Sequence, residues 1–128
     1  MPPHPTLVDI GLNLCHDSFD HDRDDVLASA RAAGVAHFVV TGSTLESTMA
    51  AIRLATTDPI RFRCTAGVHP HHASELRAED LPRLRELLAA PVVAAAGECG
   101  LDWFRNFSPH EAQEQAFRWQ LELAVESG

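Results

Sequence analysis

The sequence contains no lysine and no tyrosine, and all ten of its Lys-or-Arg positions are arginine. Without lysine, a Schiff-base enzyme, a Walker-type phosphate loop and a receiver-domain lysine are excluded within this chain. Without tyrosine, phenolic acid–base chemistry is excluded as well. Cysteine is scarce: Cys15, Cys64 and Cys99 are an odd number and lack CxxC spacing, which argues against a disulfide framework and a zinc ribbon. Reduced thiols are expected, as small buried or half-buried side chains. No uncharged apolar run approaches the ~18 residues of a membrane span. The opening Met-Pro-Pro-His-Pro-Thr has neither a basic region nor a long apolar one, so no secretory signal is read and a cytoplasmic address is expected. Basic residues are also few against eighteen acidic ones, giving a net charge of −8. No long basic run is present of the kind that binds duplex by neutralising phosphates.

What is present is a 45% hydrophobic chain of 128 residues, enough for the core of one domain. Four strand-like runs alternate with four helix-like runs. Leu7 to Leu14, Ala36 to Gly42, Arg63 to His69 and Val92 to Gly97 read as strands, the second as a buried one. Asp22 to Ala33 reads as a helix, with Asp22 able to cap it and Gly34 at the C′ position. Ser43-Thr44-Leu45-Glu46 matches a capping box ahead of Met49, Ile52 and Ala55. Asp80 to Ala90 supplies a third helix. Ser108-Pro109-His110-Glu111 reads as a capping box with proline at the first helical position, leading Phe117, Leu121 and Ala124 around one face.

Strands separated by helices of this length imply α/β architecture with parallel βα units. Four such units make either a small doubly wound domain or half of a TIM-type (β/α)8 barrel. The sequence closes on Glu126-Ser127-Gly128, a helix end with its C-cap glycine, where a further strand is due. Residues 1–128 are therefore expected to be a single domain, the N-terminal half of a barrel and apparently truncated.

In parallel α/β folds ligands bind at the carboxyl ends of the strands. All four ends are polar here: Asn13 to Asp17, Thr41 to Ser43, His69 to His72, and Glu98 to Asp102. Glu98, directly after an apolar strand, would be costly there unless ionised against a metal or an arginine; pairing with Arg105 or capping the loop is the alternative. Asp102 either belongs to the same mouth or orders its own turn. The His69-Pro70-His71-His72 cluster suggests a metal, yet lacks the helical i, i+4 spacing of a zincin; binding a phosphate or orienting water fits equally well. His16 and His21 read as solvated loop residues, and His4, His37 and His110 carry no site signal.

Taken together, Asp9 to Leu14 (DIGLNL), Val40 to Ser43 (VTGS), Ala66 to Ala73 (AGVHPHHA) and Gly97 to Pro109 (GECGLDWFRNFSP) resemble the TatD family of metal-dependent deoxyribonucleases along essentially the whole chain. The resemblance implies a TIM-type barrel and hydrolysis of DNA phosphodiester bonds, as a 3′-5′ exonuclease on single strands. It implies a divalent ion, Mg²⁺ foremost, with Zn²⁺ or Mn²⁺ as alternatives. By the same resemblance Glu98 is the catalytic, metal-bridging carboxylate, and His69, His71, Asp102 and Arg105 line the substrate cleft. Many members begin with Asp-x-His-x-His; Gly11 and Asn13 stand at those histidine positions, leaving the Asn13 carbonyl as a second, neutral metal ligand better suited to Mg²⁺. The family's later ligands fall beyond Gly128, so the chain by itself is expected to be inactive or weak. The implied partner is DNA, single-stranded or at 3′ ends, with no membrane and with self-association if the chain is truly short. Two other readings remain open: a non-catalytic half-barrel acting as an interaction module, and a metal-dependent hydrolase of small amides or esters.

Overall fold

A computed structural model of the protein describes residues 5–128; His4 and the leader-free N-terminal reading lie outside them. Four strands, β1 (Leu7–Leu12), β2 (Val35–Val40), β3 (Phe62–Ala66) and β4 (Val93–Ala96), form one parallel sheet in the order β1-β2-β3-β4. Between and after them run α1 (Arg23–Ala32), α2 (Leu45–Thr57), α3 (Leu81–Leu88) and α4 (His110–Ser127). A doubly wound sheet reverses its strand order at a switch point. This order never reverses, and right-handed crossovers that always step the same way leave every helix on one face. The two architectures open to the sequence are thereby separated in favour of the barrel type.

Burial follows from that one-sidedness. Along β2 and β3, Phe38, Val40, Phe62, Cys64 and Ala66 are buried, while His37 and Arg63 between them are exposed. Parallel strands covered on both faces are buried continuously. The expectation of a fully buried second strand is corrected to one buried face, because no helix covers the other side. The buried set packs with Leu14, Leu27, Ala51, Ala55 and Val92 into the main core. Under the carboxyl half of the sheet, Leu84 and Leu87 of α3 and Leu123 of α4 close on Ala66. Ile10, on the edge strand β1, is 79% exposed.

Local signals place these elements with small shifts. Gly34 follows α1 at φ 102°, the left-handed conformation that a C′ glycine supplies. Asp22 occupies the N-cap of α1 without a side-chain cap bond. The capping box of α2 lies one residue later than expected, with Thr44 at the N-cap and Ser47 at N3, because Ser47 Oγ accepts the Thr44 N–H at 2.9 Å. β3 stops at Ala66: the Gly67 N–H and C=O both go to the Thr48 hydroxyl, at 3.2 and 3.3 Å, and leave the ladder.

Two expectations about α4 fail. Ser108 does not cap it; this buried hydroxyl donates to His71 O at 3.0 Å and accepts from Ser74 N at 3.2 Å, tying two loops together. The buried face is Gln113, Ala116, Gln120 and Leu123, rather than Phe117, Leu121 and Ala124. The two sets differ by one or a few positions, and one position is about 100° around a helix with 3.6 residues per turn. Leu121 is left half-exposed.

Candidate active site

The carboxyl ends of the strands hold the polar residues that the sequence pattern put there. A cavity of about 330 Å³ is lined by Asn13, Thr41, His69, His71 and Glu98, drawn from all four strand ends. It adjoins a second hollow of about 470 Å³, lined by His69, Glu98, Asp102 and Arg105 among others. Backbone bonds fix the relative heights of the loops: His69 N donates to Ser43 O at 2.8 Å and Glu98 N to Gly42 O at 2.7 Å. Gly67 allows the ends of β3 and β4 to approach, since a Cβ there would stand 2.6 Å from the Gly97 carbonyl carbon.

The first loop turns at Pro70, where His69 caps a short 3-10 turn over Pro70–Glu75. His69 Nδ1 accepts the His71 N–H at 3.0 Å, so a proton on this ring resides on Nε2, which lies 3.4 Å from Glu98 Oε1. Burial lowers the His69 pKa, and the nearby Glu98 charge opposes that shift. The Glu98 side chain itself is half exposed toward the cavity.

The second loop brings Asp102 to His71. Asp102 Oδ2 lies 2.8 Å from His71 Nε2 and 3.3 Å from Arg105 Nε. Its other oxygen accepts the backbone N–H groups of Arg105 at 3.1 Å and Phe104 at 3.2 Å. These donors, the Arg105 amide foremost and then the His71 side chain, hold the carboxyl down to about 2. An ionised acceptor at 2.8 Å requires the His71 proton on Nε2, so the Arg105 Nη1 at 3.4 Å from that nitrogen is a neighbour rather than a donor to it. The alternative pairing of Glu98 with Arg105 is not found; Arg105 pairs with Asp102. Cys99 lies beside Glu98, and burial first, then the Glu98 charge, push its thiol pKa up. Burial likewise raises Cys15, and Cys64 to about 11. All three cysteines are free.

Two residues absent from any sequence reading hold both loops. Gln113 and Gln120 are about 1–2% exposed on the inner face of α4. Gln113 Oε1 accepts the Asp102 N–H at 2.7 Å, while its Nε2 donates to Asp102 O at 3.1 Å and Ser108 O at 2.8 Å. Gln120 does the same for Val68, the residue before His69, accepting its N–H at 2.8 Å and donating to its C=O at 3.1 Å. Each side-chain amide satisfies a peptide unit as a neighbouring strand would. His16, read as a solvated loop residue, also lines the cavity beside Asn13. His110, which carries no site signal in the sequence, stacks on Trp103 with centroids 4.6 Å apart.

The family model described as TatD related DNase matches residues 8–128. The chain belongs to this family. Among curated TatD-family relatives, it is 49% identical over 120 residues to the "3'-5' ssDNA/RNA exonuclease TatD" of a Pantoea species, covering 94% of this chain and 46% of that protein. It is 50% identical over 122 residues to the protein of the same name from Cronobacter turicensis, covering 45% of it. The chain thus spans about half the length of these relatives. Solved TatD structures agree: a TatD family hydrolase from Entamoeba histolytica superposes with TM-score 0.84 at 31% identity, and the Escherichia coli homologue YJJV with 0.86 at 26%. The chain covers 94% of itself and 46% of the first, and 95% of itself and 48% of the second. These neighbours are TIM barrels, and the four βα units correspond to about half of one.

Among the described residues, no three His, Cys, Asp or Glu side chains converge as a metal cluster. The donors lining the cavity include the Glu98 carboxylate, the Asn13 amide, the Thr41 and Ser43 hydroxyls and the His69 and His71 imidazoles. Such a set of oxygen and imidazole donors fits a divalent cation. Among the described residues no helix is long and apolar enough to cross a membrane.

Proposed function

We propose that residues 1–128 form one domain of four βα units carrying part of a TatD-type phosphodiesterase site, acting in the cytoplasm on DNA and hydrolysing single strands from the 3′ end. The observation that carries this reading is the meeting, at the carboxyl ends of β3 and β4, of Glu98 with the His69, His71, Asp102 and Arg105 group. A divalent ion, Mg²⁺ by the oxygen donors available, would be held by Glu98 and Asn13. When bound it would neutralise charge on the phosphate and stabilise the charge that develops there. Arg105 holds the phosphate oxygens, a planar guanidinium being suited to two at once. Asp102 keeps the His71 proton on Nε2 and orients Arg105. His69, whose pKa is lowered by burial against the Glu98 charge, presents its Nε2 proton to the Glu98 side. A net charge of −8 is compatible with this because a focused cleft binds a strand end without a basic surface.

Two oxygen ligands hold Mg²⁺ weakly, so slow turnover is expected from the chain by itself. The arrangement of Arg105 with two histidines favours a phosphate ester over a small amide or carboxylic ester. The interaction-module reading has one observation of its own, the sheet face without helices on which Ile10 and Val8 are exposed. The test is release of nucleotides from 3′-labelled single-stranded DNA with Mg²⁺, by the chain and by Glu98→Gln. Mg²⁺-dependent release that the variant lacks supports the nuclease reading; equal release by both, or none by either alongside concentration-dependent dimerisation, favours the module.

A further inference from the structure

The segment that carries Asp102 and Arg105 also carries three aromatic rings that the core does not use. Trp103 is 50% exposed, Phe104 91% and Phe107 69%. Exposing a phenylalanine this far forgoes the stabilisation that burial would bring. The loop is nonetheless fixed in place. Asn106, in the left-handed region at φ 53°, donates from Nδ2 to Trp103 O at 3.0 Å. Its Oδ1 lies 2.6 Å from His110 Nε2, and the His110 imidazole stacks on the indole at an interplanar angle of 10°. One face of Trp103 is therefore covered by the imidazole, while the residue stays half exposed. Phe107 sets its ring against the His71 imidazole, centroids 4.8 Å apart at 84°. Trp103, Phe104 and Arg105 line the same hollow as His69 and Glu98.

We propose that Trp103 and Phe104 form a stacking platform for the bases of a single-stranded nucleic acid whose phosphate is held by Arg105. The inference rests on the nuclease reading and extends it from the phosphate to the base. Rings that flank an exposed arginine at the rim of a polar hollow match a ligand that alternates π faces with negative charge. A protein partner would match the rings but not the acid and imidazole groups beside them. Stacking on a π face is tolerant of base identity, because every base offers one. The platform thus selects for unpaired bases and not for sequence, since paired bases in a duplex have their faces occupied.

The test compares two fluorescent probes of equal length with phosphorothioate linkages, an oligothymidylate and an abasic strand, by anisotropy titration in Mg²⁺. Wild type is expected to bind the base-bearing strand about 10-fold more tightly than the abasic one. Phe104→Ala and Trp103→Ala should each remove much of that difference with little effect on the abasic strand, and Phe104→Trp should restore it. Because Phe104 packs against almost nothing, its removal should leave the circular dichroism and the melting temperature unchanged. Equal binding of both probes by wild type, or an unchanged oligothymidylate affinity in Phe104→Ala, overturns the platform and leaves the phosphate reading standing. Loss of self-association in Phe104→Ala without any effect on the probes would assign the rings to a protein contact and also overturn it. Failure of wild type to bind either probe better than Arg105→Ala does would overturn the nuclease reading and the platform with it.

Discussion

Replacing Gln113 by leucine tests whether α4 is a brace for the site or only a wall of the core. The side chains are close in volume, so the cavity contribution is small. What is lost is three hydrogen bonds, at 2.7, 3.1 and 2.8 Å, with the Asp102 N–H left facing a methyl group. At about 1 kcal/mol net for each bond, the loss is about 3 kcal/mol. Gln113→Glu keeps the acceptor for the Asp102 N–H but turns a carboxylate toward the Asp102 and Ser108 carbonyls, so it should lose at least as much. Urea denaturation read by tryptophan fluorescence gives the stability, and amide exchange at Asp102 gives the local effect. A loss below about 1 kcal/mol with unchanged Asp102 exchange would refute the brace, because an unpaired part-buried donor costs about that much by itself.

Three further outcomes follow from the same geometry. The Asp102 carboxyl should titrate near 2 and not at its ordinary 3.8 by carbon NMR; its depressed folded value means that its contribution to stability is present above about 3.8 and is lost as pH falls through about 2, and a midpoint near 3.8 would contradict the His71 and Arg105 contacts. Gly67→Ala should destabilise the chain by about 1–3 kcal/mol in the same urea assay, because its Cβ would meet the Gly97 carbonyl carbon at 2.6 Å; a neutral effect would mean that the β3 and β4 ends part freely. In a chain completed by the second half of the barrel, Glu98→Ala should remove metal-dependent nucleotide release while Cys99→Ser leaves most of it, since the thiol is held protonated by burial and the Glu98 charge; comparable losses would give the cysteine a role.

The sheet was legible because strand and helix periods are local. Val35–Val40 announces itself by β-branched and apolar residues, the third strand less so because Gly67 lowers β propensity, and the polar Asn13, Thr41, His69 and Glu98 mark one end of the sheet. Strand order was not legible, since four βα units wind equally well in either architecture until pairing is known. The face of α4 was misjudged because phenylalanine and leucine outrank glutamine on any hydrophobic scale. The burial of Gln113 and Gln120 depends on two peptide units, Asp102 and Val68, that lie 11 and 52 residues away in sequence. The same holds for Ser108, a natural N-cap by type whose hydroxyl is recruited by His71 and Ser74. The one signal for the glutamines was their placement: Gln113, Ala116, Gln120 and Leu123 share a helical face.

That the two loops act as one phosphate site is tested most directly by an NMR titration of the labelled chain with a thymidine dinucleotide phosphorothioate in Mg²⁺. The account predicts that the His69 and His71 ring signals, the Arg105 Nε–H and the Asp102 amide shift together and saturate with a single dissociation constant. Shifts confined to Leu45 and Leu76, which line a separate hollow of about 390 Å³, would contradict it, as would His71 and Glu98 signals that respond with unrelated constants.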